Sequence, residues 1–141
     1  MANSVTTQII TDGQRNAVVK IVGILDTSDV TATAVVDPAT LGYMDNANQF
    51  RATQVRIDRI LYTVEEGLDV RLEWDATSPV YIIDLVKAGH QELWQFGGYQ
   101  NNAGAGKTGK ILLSTEGWTS GVKEFTITLH LVKQSSTPII P

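Results

Sequence analysis

The segment Gly104-Ala105-Gly106-Lys107-Thr108 has the residue types that hold a phosphate. In a phosphate-binding loop, glycine amides and a lysine cradle the anion, and a hydroxyl meets magnesium. The spacing here fails. Such a loop needs a glycine five positions before Gly106, and Asn101 stands there. It also needs a helix afterwards, whose first amides hold the anion, whereas Lys110–Ser114 reads as a strand. The stretch Gly97–Gly109 therefore reads as a Gly/Asn-rich loop, mobile or ordered by a partner.

The other reactive types are no better placed. His90 and His130 lack a second histidine or an acid at a metal-ligand spacing, so both read as surface residues. No Gly-x-Ser-x-Gly elbow presents a serine nucleophile. Glu65 and Glu66 precede Gly67 and belong to a turn. Asp69, Glu73 and Asp75 share one strand face with Arg71, which reads as a solvated face with local ion pairs. Asp26 and Asp29 lack the spacing of a calcium loop. No catalytic residue, metal or cofactor is expected. Aromatic side chains remain as candidates for contact. Trp94, Phe96 and Tyr99 fall close together, and Trp94 and Phe96 are expected in the core on one face of a strand. Trp118, in a turn bounded by Gly117 and Gly121, is expected to be the better surface anchor.

The elements that must position these residues repeat with period two. Val70, Leu72 and Trp74 alternate with Asp69, Arg71, Glu73 and Asp75. Phe125, Ile127, Leu129 and Leu131 alternate with Thr126, Thr128 and His130. Each pattern is a half-buried strand. Asn16–Leu25, Val30–Val36 and Gln54–Val64 are further strands by their Val and Ile content. In the last of these the apolar set changes parity near Arg59, which predicts a bulge or a strand buried on both faces. Shorter strands are predicted at Thr6–Ile10, Val80–Val86, Glu92–Phe96 and Lys110–Ser114. Turn residues separate them, including Asp12-Gly13, Ser78-Pro79, Ala88-Gly89 and Gly97-Gly98. Asp37–Arg51 is weakly patterned and is expected to carry a short helix or a long crossover. Eight or nine strands with one long crossover predict an all-β antiparallel β-sandwich of jelly-roll type.

The 141 residues suit one domain, expected at 1–134, with 135–141 as a C-terminal extension. The absence of cysteine excludes a disulfide scaffold and thiolate chemistry. A net charge of -4 argues against direct binding to nucleic acid. No apolar run approaches a membrane span, and Met1–Thr11 lacks the basic flank and apolar core of a signal peptide. The first residues and Ser135–Pro141 fall outside the alternation and are expected to be unpacked or to reach a partner.

Several segments carry a family resemblance. They are Thr7-Gln8-Ile9-Ile10 with Asp12-Gly13, then Arg15-Asn16-Ala17-Val18-Val19-Lys20 and Val70-Arg71-Leu72-Glu73-Trp74-Asp75-Ala76-Thr77. Gly97-Gly98 and Asn101–Gly109 belong with them, so the likeness is spread over residues 7–132. The chain resembles the capsid cement, or decoration, proteins of short-tailed bacteriophage heads. The resemblance implies a jelly roll and a non-enzymatic role as a structural virion protein on the outer surface of an HK97-type shell. It also implies the major capsid protein as partner, a homodimer bridging capsomers, and synthesis in a bacterial cytoplasm. The alternative reading is a carbohydrate-binding jelly-roll module of a virion or secreted protein. Candidate partner contacts are Trp94, Tyr99, Lys107, Trp118, Pro138, Ile139 and Ile140.

Overall fold

The computed structural model describes residues 3–135. Pro138, Ile139 and Ile140, and all but Ser135 of the expected extension, lie outside the described residues. Nine strands follow in chain order: β1 (Ser4–Asp12), β2 (Asn16–Leu25), β3 (Thr33–Val36), β4 (Gln54–Val64) and β5 (Asp69–Trp74), then β6 (Val80–Leu85), β7 (Ala88–Glu92), β8 (Ile111–Glu116) and β9 (Lys123–Gln134). They form two antiparallel sheets, β1-β2-β9-β4-β7 and β3-β8-β5-β6. This is the all-β antiparallel sandwich that the alternation predicts.

The pairing nests. β2 pairs with β9, β3 with β8, β4 with β7 and β5 with β6, all antiparallel. The chain is thus one long hairpin, bent at β5–β6 and rolled so that its successive pairs alternate between the two sheets. β1 is added outside this scheme, on the free side of β2.

The core lies between the sheets and is made by the alternation. Ala17, Val19 and Ile21 of β2 point inward with Ile127, Leu129 and Leu131 of β9. They meet Val70, Leu72 and Trp74 of β5 and Ile111 and Leu113 of β8. The parity change in β4 is a bulge, since its register with β9 shifts between Ile57 and Arg59. The extra residue returns Ile60 to the core after Ile57, so both stay fully buried.

One expectation changes, and one that was left open is resolved as the long crossover. The short strand expected at Glu92–Phe96 lies earlier, at Ala88–Glu92, where a turn was expected; Trp94–Phe96 is a 3-10 turn. The β-bond partners of Ala88–Glu92 lie on β4, from Thr63 back to Arg59, and that pairing overrides the turn preference of Ala88-Gly89. Asp37–Arg51 carries no α-helix, only a 3-10 turn over Pro38–Thr40 capped by the Asp37 carboxylate on the Ala39 amide. Arg51 holds this crossover down. Its guanidinium donates to the carbonyls of Leu41 and Ala39 and lies 4.3 Å from the centre of the Tyr43 ring.

Candidate interaction surface

Leu93 follows β7 and is buried. Its amide donates to the Asp58 carbonyl at 2.8 Å. Its own carbonyl accepts from the Phe96 and Gly98 amides, at 3.3 and 2.8 Å, which winds the next residues into a single 3-10 turn. A 3-10 turn has three residues per revolution. With Leu93 plugged inward, Trp94 and Phe96 are left to face solvent, 58% and 66% exposed. This corrects their expected place in the core. Tertiary pairing of β7 with β4 has moved them off a strand and onto its exit turn.

The mount is stiff. Gly97 and Gly98 both have positive φ, at 91° and 75°. A side chain on Gly98 would meet the Ile57 carbonyl and the Asp58 carboxylate. Only glycine permits that approach. Tyr99 then exchanges two backbone hydrogen bonds with Ile57, at 2.8 and 3.0 Å. Its ring packs partly on the core and lies 6.2 Å from the Phe96 ring, tilted. Two exposed aromatic rings thus stand on a backbone fixed at both ends.

Beside Trp94 runs a groove lined by Asn16, Asp58, Arg59, Glu92 and His130. Arg56 Nε donates to Asp58 Oδ1 at 2.8 Å. Arg59 Nε is 3.7 Å from Glu92 Oε1 and has no hydrogen-bond partner. Desolvation, reinforced by the Arg59 charge, lowers the His130 pKa, and Asp58 opposes them. The groove therefore offers a neutral imidazole between two near-balanced ion pairs. Such a wall suits hydrogen bonding to a neutral polar surface better than capture of an ion.

The rest of the Gly97–Gly109 segment is neither free nor a phosphate site. The Thr77 amide donates to the Ala105 carbonyl at 3.0 Å, and Thr108 Oγ1 donates to Asp75 Oδ2 at 2.7 Å. Gly106 and Gly109 sit against Thr77 and the Thr53 carbonyl, where a side chain would collide. These two glycines serve close packing of the chain on itself. Lys107 Nζ reaches the Asn101 carbonyl at 3.5 Å, and strand β8 follows, not a helix.

Trp118 is half-buried and tied into the chain by two hydrogen bonds. Its backbone amide donates to Asp29 Oδ1 at 3.1 Å and its indole N–H to the Gly121 carbonyl at 2.8 Å. Its ring packs partly against the core. Its polar handle is already used within the chain, whereas Trp94 and Phe96 are left exposed. The structure brings Trp94 and Tyr99 to one end of the sandwich with Phe96, and Trp118 belongs to the Asp29 network elsewhere.

Sequence reasoning also missed a buried ion pair. Lys133 is fully buried and donates to Asp12 Oδ1 and the Gly13 carbonyl at 2.5 Å each, and to the Gly42 carbonyl at 3.0 Å. The signal was present. Lys133 continues the odd-numbered inward series Phe125, Ile127, Leu129 and Leu131. A lysine at an inward position needs a counter-charge.

Among the described residues, no three His, Cys, Asp or Glu side chains gather as a metal-holding group, and no helix is long and apolar enough to cross a membrane. No protein-family model matches the chain, and no curated protein matches it.

Proposed function

We propose that this chain is a non-enzymatic structural protein that decorates the outside of an HK97-type bacteriophage head. In this reading it binds the major capsid protein and bridges capsomers against the outward pressure of packaged DNA. One observation carries the reading: Trp94 and Phe96 are exposed on a stiff turn at one end of a rigid sandwich. Large exposed aromatics on a preorganised mount are what an adhesive contact uses, since little conformational freedom is lost on docking. The nested strand pairing supports the jelly-roll form that the reading implies. Many weak contacts per particle then add up, because each copy is held at several points.

The test is reconstitution. Heads lacking the protein are mixed with purified chain and sedimented, and occupancy is counted per particle. Stoichiometric binding is expected, with resistance to heat restored. The double variant Trp94→Ala with Phe96→Ala is expected to lose occupancy while keeping its unfolding temperature. Equal occupancy by that variant, or no binding by the natural chain, refutes the reading.

A second reading rests on the groove. Trp94 beside Asn16, Asp58, Glu92 and His130 pairs an aromatic face with polar groups, the arrangement that grips a sugar ring. Titration of glycans against tryptophan fluorescence separates the two, because a shell-binding surface gives no saturable change.

A further inference from the structure

Sheet edges expose unpaired backbone N–H and C=O groups, and proteins usually protect them with charge, proline or brevity. Three of the four edges here are protected in that way. β7 has five residues and carries His90 and Glu92; β6 carries Asp84; β3 has four residues and a register shift between Ala34 and Val36. β1 is different. It has nine residues, eight of them exposed, and Ser4–Thr11 contains no charge and no proline. Ile9 and Ile10 are 43% and 52% exposed.

This edge is also held ready. Asn3 fastens its start, accepting from the Asp26 amide at 2.8 Å and donating to the Ser28 carbonyl at 2.9 Å. Thr7 Oγ1 donates to the Val35 carbonyl at 2.6 Å across the sandwich. Asp12 fastens its end, accepting from the Gly42 amide at 2.7 Å and from Lys133. A strand ordered in advance loses little entropy when another strand is added to it.

We infer that β1 pairs antiparallel with β1 of a second copy, joining the two five-stranded sheets into one of ten strands. The register follows from the alternation. Val5, Thr7 and Ile9 lie opposite Gly23, Ile21 and Val19 on the core side, while Thr6 and Gln8 lie on the outer side. Pairing about Thr7 sets Val5 against the other copy's Ile9 and Thr6 against its Gln8. No like charges oppose, and the apolar pairs are of the kind that stabilise sheets. The bulge between Ile9 and Thr11 ends the pairing before Asp12, whose carboxylate is already committed. Charge selects the occupant. Copies of net charge -4 repel, and an uncharged edge is where they can meet. A charged foreign segment finds no complementary charge on the strand itself, the nearest on the outer face being Lys20, opposite Gln8 on β2. An apolar gap behind the edge, lined by Ile9, Val19, Val35, Val36 and Leu41, opens between β1 and β3. The added strand lays its own Val5 and Ile9 along the mouth of that gap.

The pairing concerns the chain alone and does not rest on the capsid reading, so it is tested on purified protein. Sedimentation across the micromolar range is expected to show a species of twice the 15.4 kDa mass. The outward variant Thr6→Lys with Gln8→Lys is expected to be monomeric, because each lysine then faces another. Mixing it with Thr6→Glu, Gln8→Glu is expected to restore the dimer. The chain has no cysteine, so a mixture of Thr6→Cys and Gln8→Cys is expected to cross-link several-fold more than either variant alone. A natural chain that stays monomeric overturns the inference, as does a dimer that survives the lysine pair or cross-links without this preference. Unchanged circular dichroism in each variant ensures that loss of pairing is not loss of fold.

Discussion

Removing Asp12 should damage the fold more than removing Lys133, although the two form one ion pair. The asymmetry comes from solvent. The Lys133 side chain has no exposure, whereas the Asp12 side chain is 25% exposed. Asp12→Ala leaves an ammonium in the interior with two carbonyls and no counter-charge, a change that costs about 3–5 kcal/mol. Lys133→Met leaves a carboxylate that keeps the Gly42 amide and reaches water. Its loss is that of hydrogen bonds to two partly buried carbonyls, about 2–3 kcal/mol. At roughly 3 °C per kcal/mol, the middles of the two ranges, about 4 and about 2.5 kcal/mol, put the unfolding temperatures about 4–5 °C apart. The double variant should be more stable than Asp12→Ala alone, because it removes the stranded charge. Urea unfolding with a constant m-value reads all three. The reasoning fails if Asp12→Ala costs less than about 1 kcal/mol, the level of a surface pair, or if the double variant is the least stable. Acid gives a further check. Burial pushes the Asp12 pKa up, but the Lys133 hydrogen bond, the Gly42 amide and the charges of Lys133 and Arg51 outweigh it, so the net shift is downward. The stability this provides is present above the ordinary aspartate value and is lost as pH falls through the lowered one. Lys133→Met should flatten that acid limb.

Gly23 faces Phe125 across the β2–β9 ladder, and a methyl group there would enter the buried ring; Gly23→Ala should cost about 1–3 kcal/mol in urea unfolding. His130 has a lowered pKa from desolvation and then from Arg59, so the unfolded chain takes up its proton first. Stability should therefore fall as pH drops through about 6.5, the ordinary histidine value, and His130→Gln should remove that slope in thermal melts. Burial, then Asp69, raises the Asp84 pKa. Asp84→Asn should leave unfolding temperature at neutral pH unchanged or slightly higher, and a marked fall would show that this carboxylate is better placed than its neighbours suggest.

Much of the framework was legible locally. The period-two patterns of Asp69–Trp74 and Phe125–Leu131 specify strands with one inward face, and the parity change at Arg59 marks the bulge of β4, because strand side chains alternate strictly. The Gly104–Thr108 motif could be set aside from its spacing alone. Other features depend on which strands meet. Ala88-Gly89 reads as a turn until β4 supplies its hydrogen bonds, and that pairing pushes Trp94 and Phe96 from an expected strand to an exposed turn. Trp118 is flanked by glycines and reads as exposed, yet Asp29 and Gly121 occupy its donors.

The alternation of side chains by itself determined that this chain is built of strands with one inward face, and so that its class is all-β, because period two is a property of a single strand. What it could not supply is who stands opposite. That Asp12 meets Lys133 from 121 residues away, that β1 is left as an uncharged edge, and that Trp94 and Phe96 share one exposed end were decided only by tertiary structure. Each depends on strand order, and strand order is set by packing between segments far apart in the chain, which no local pattern records.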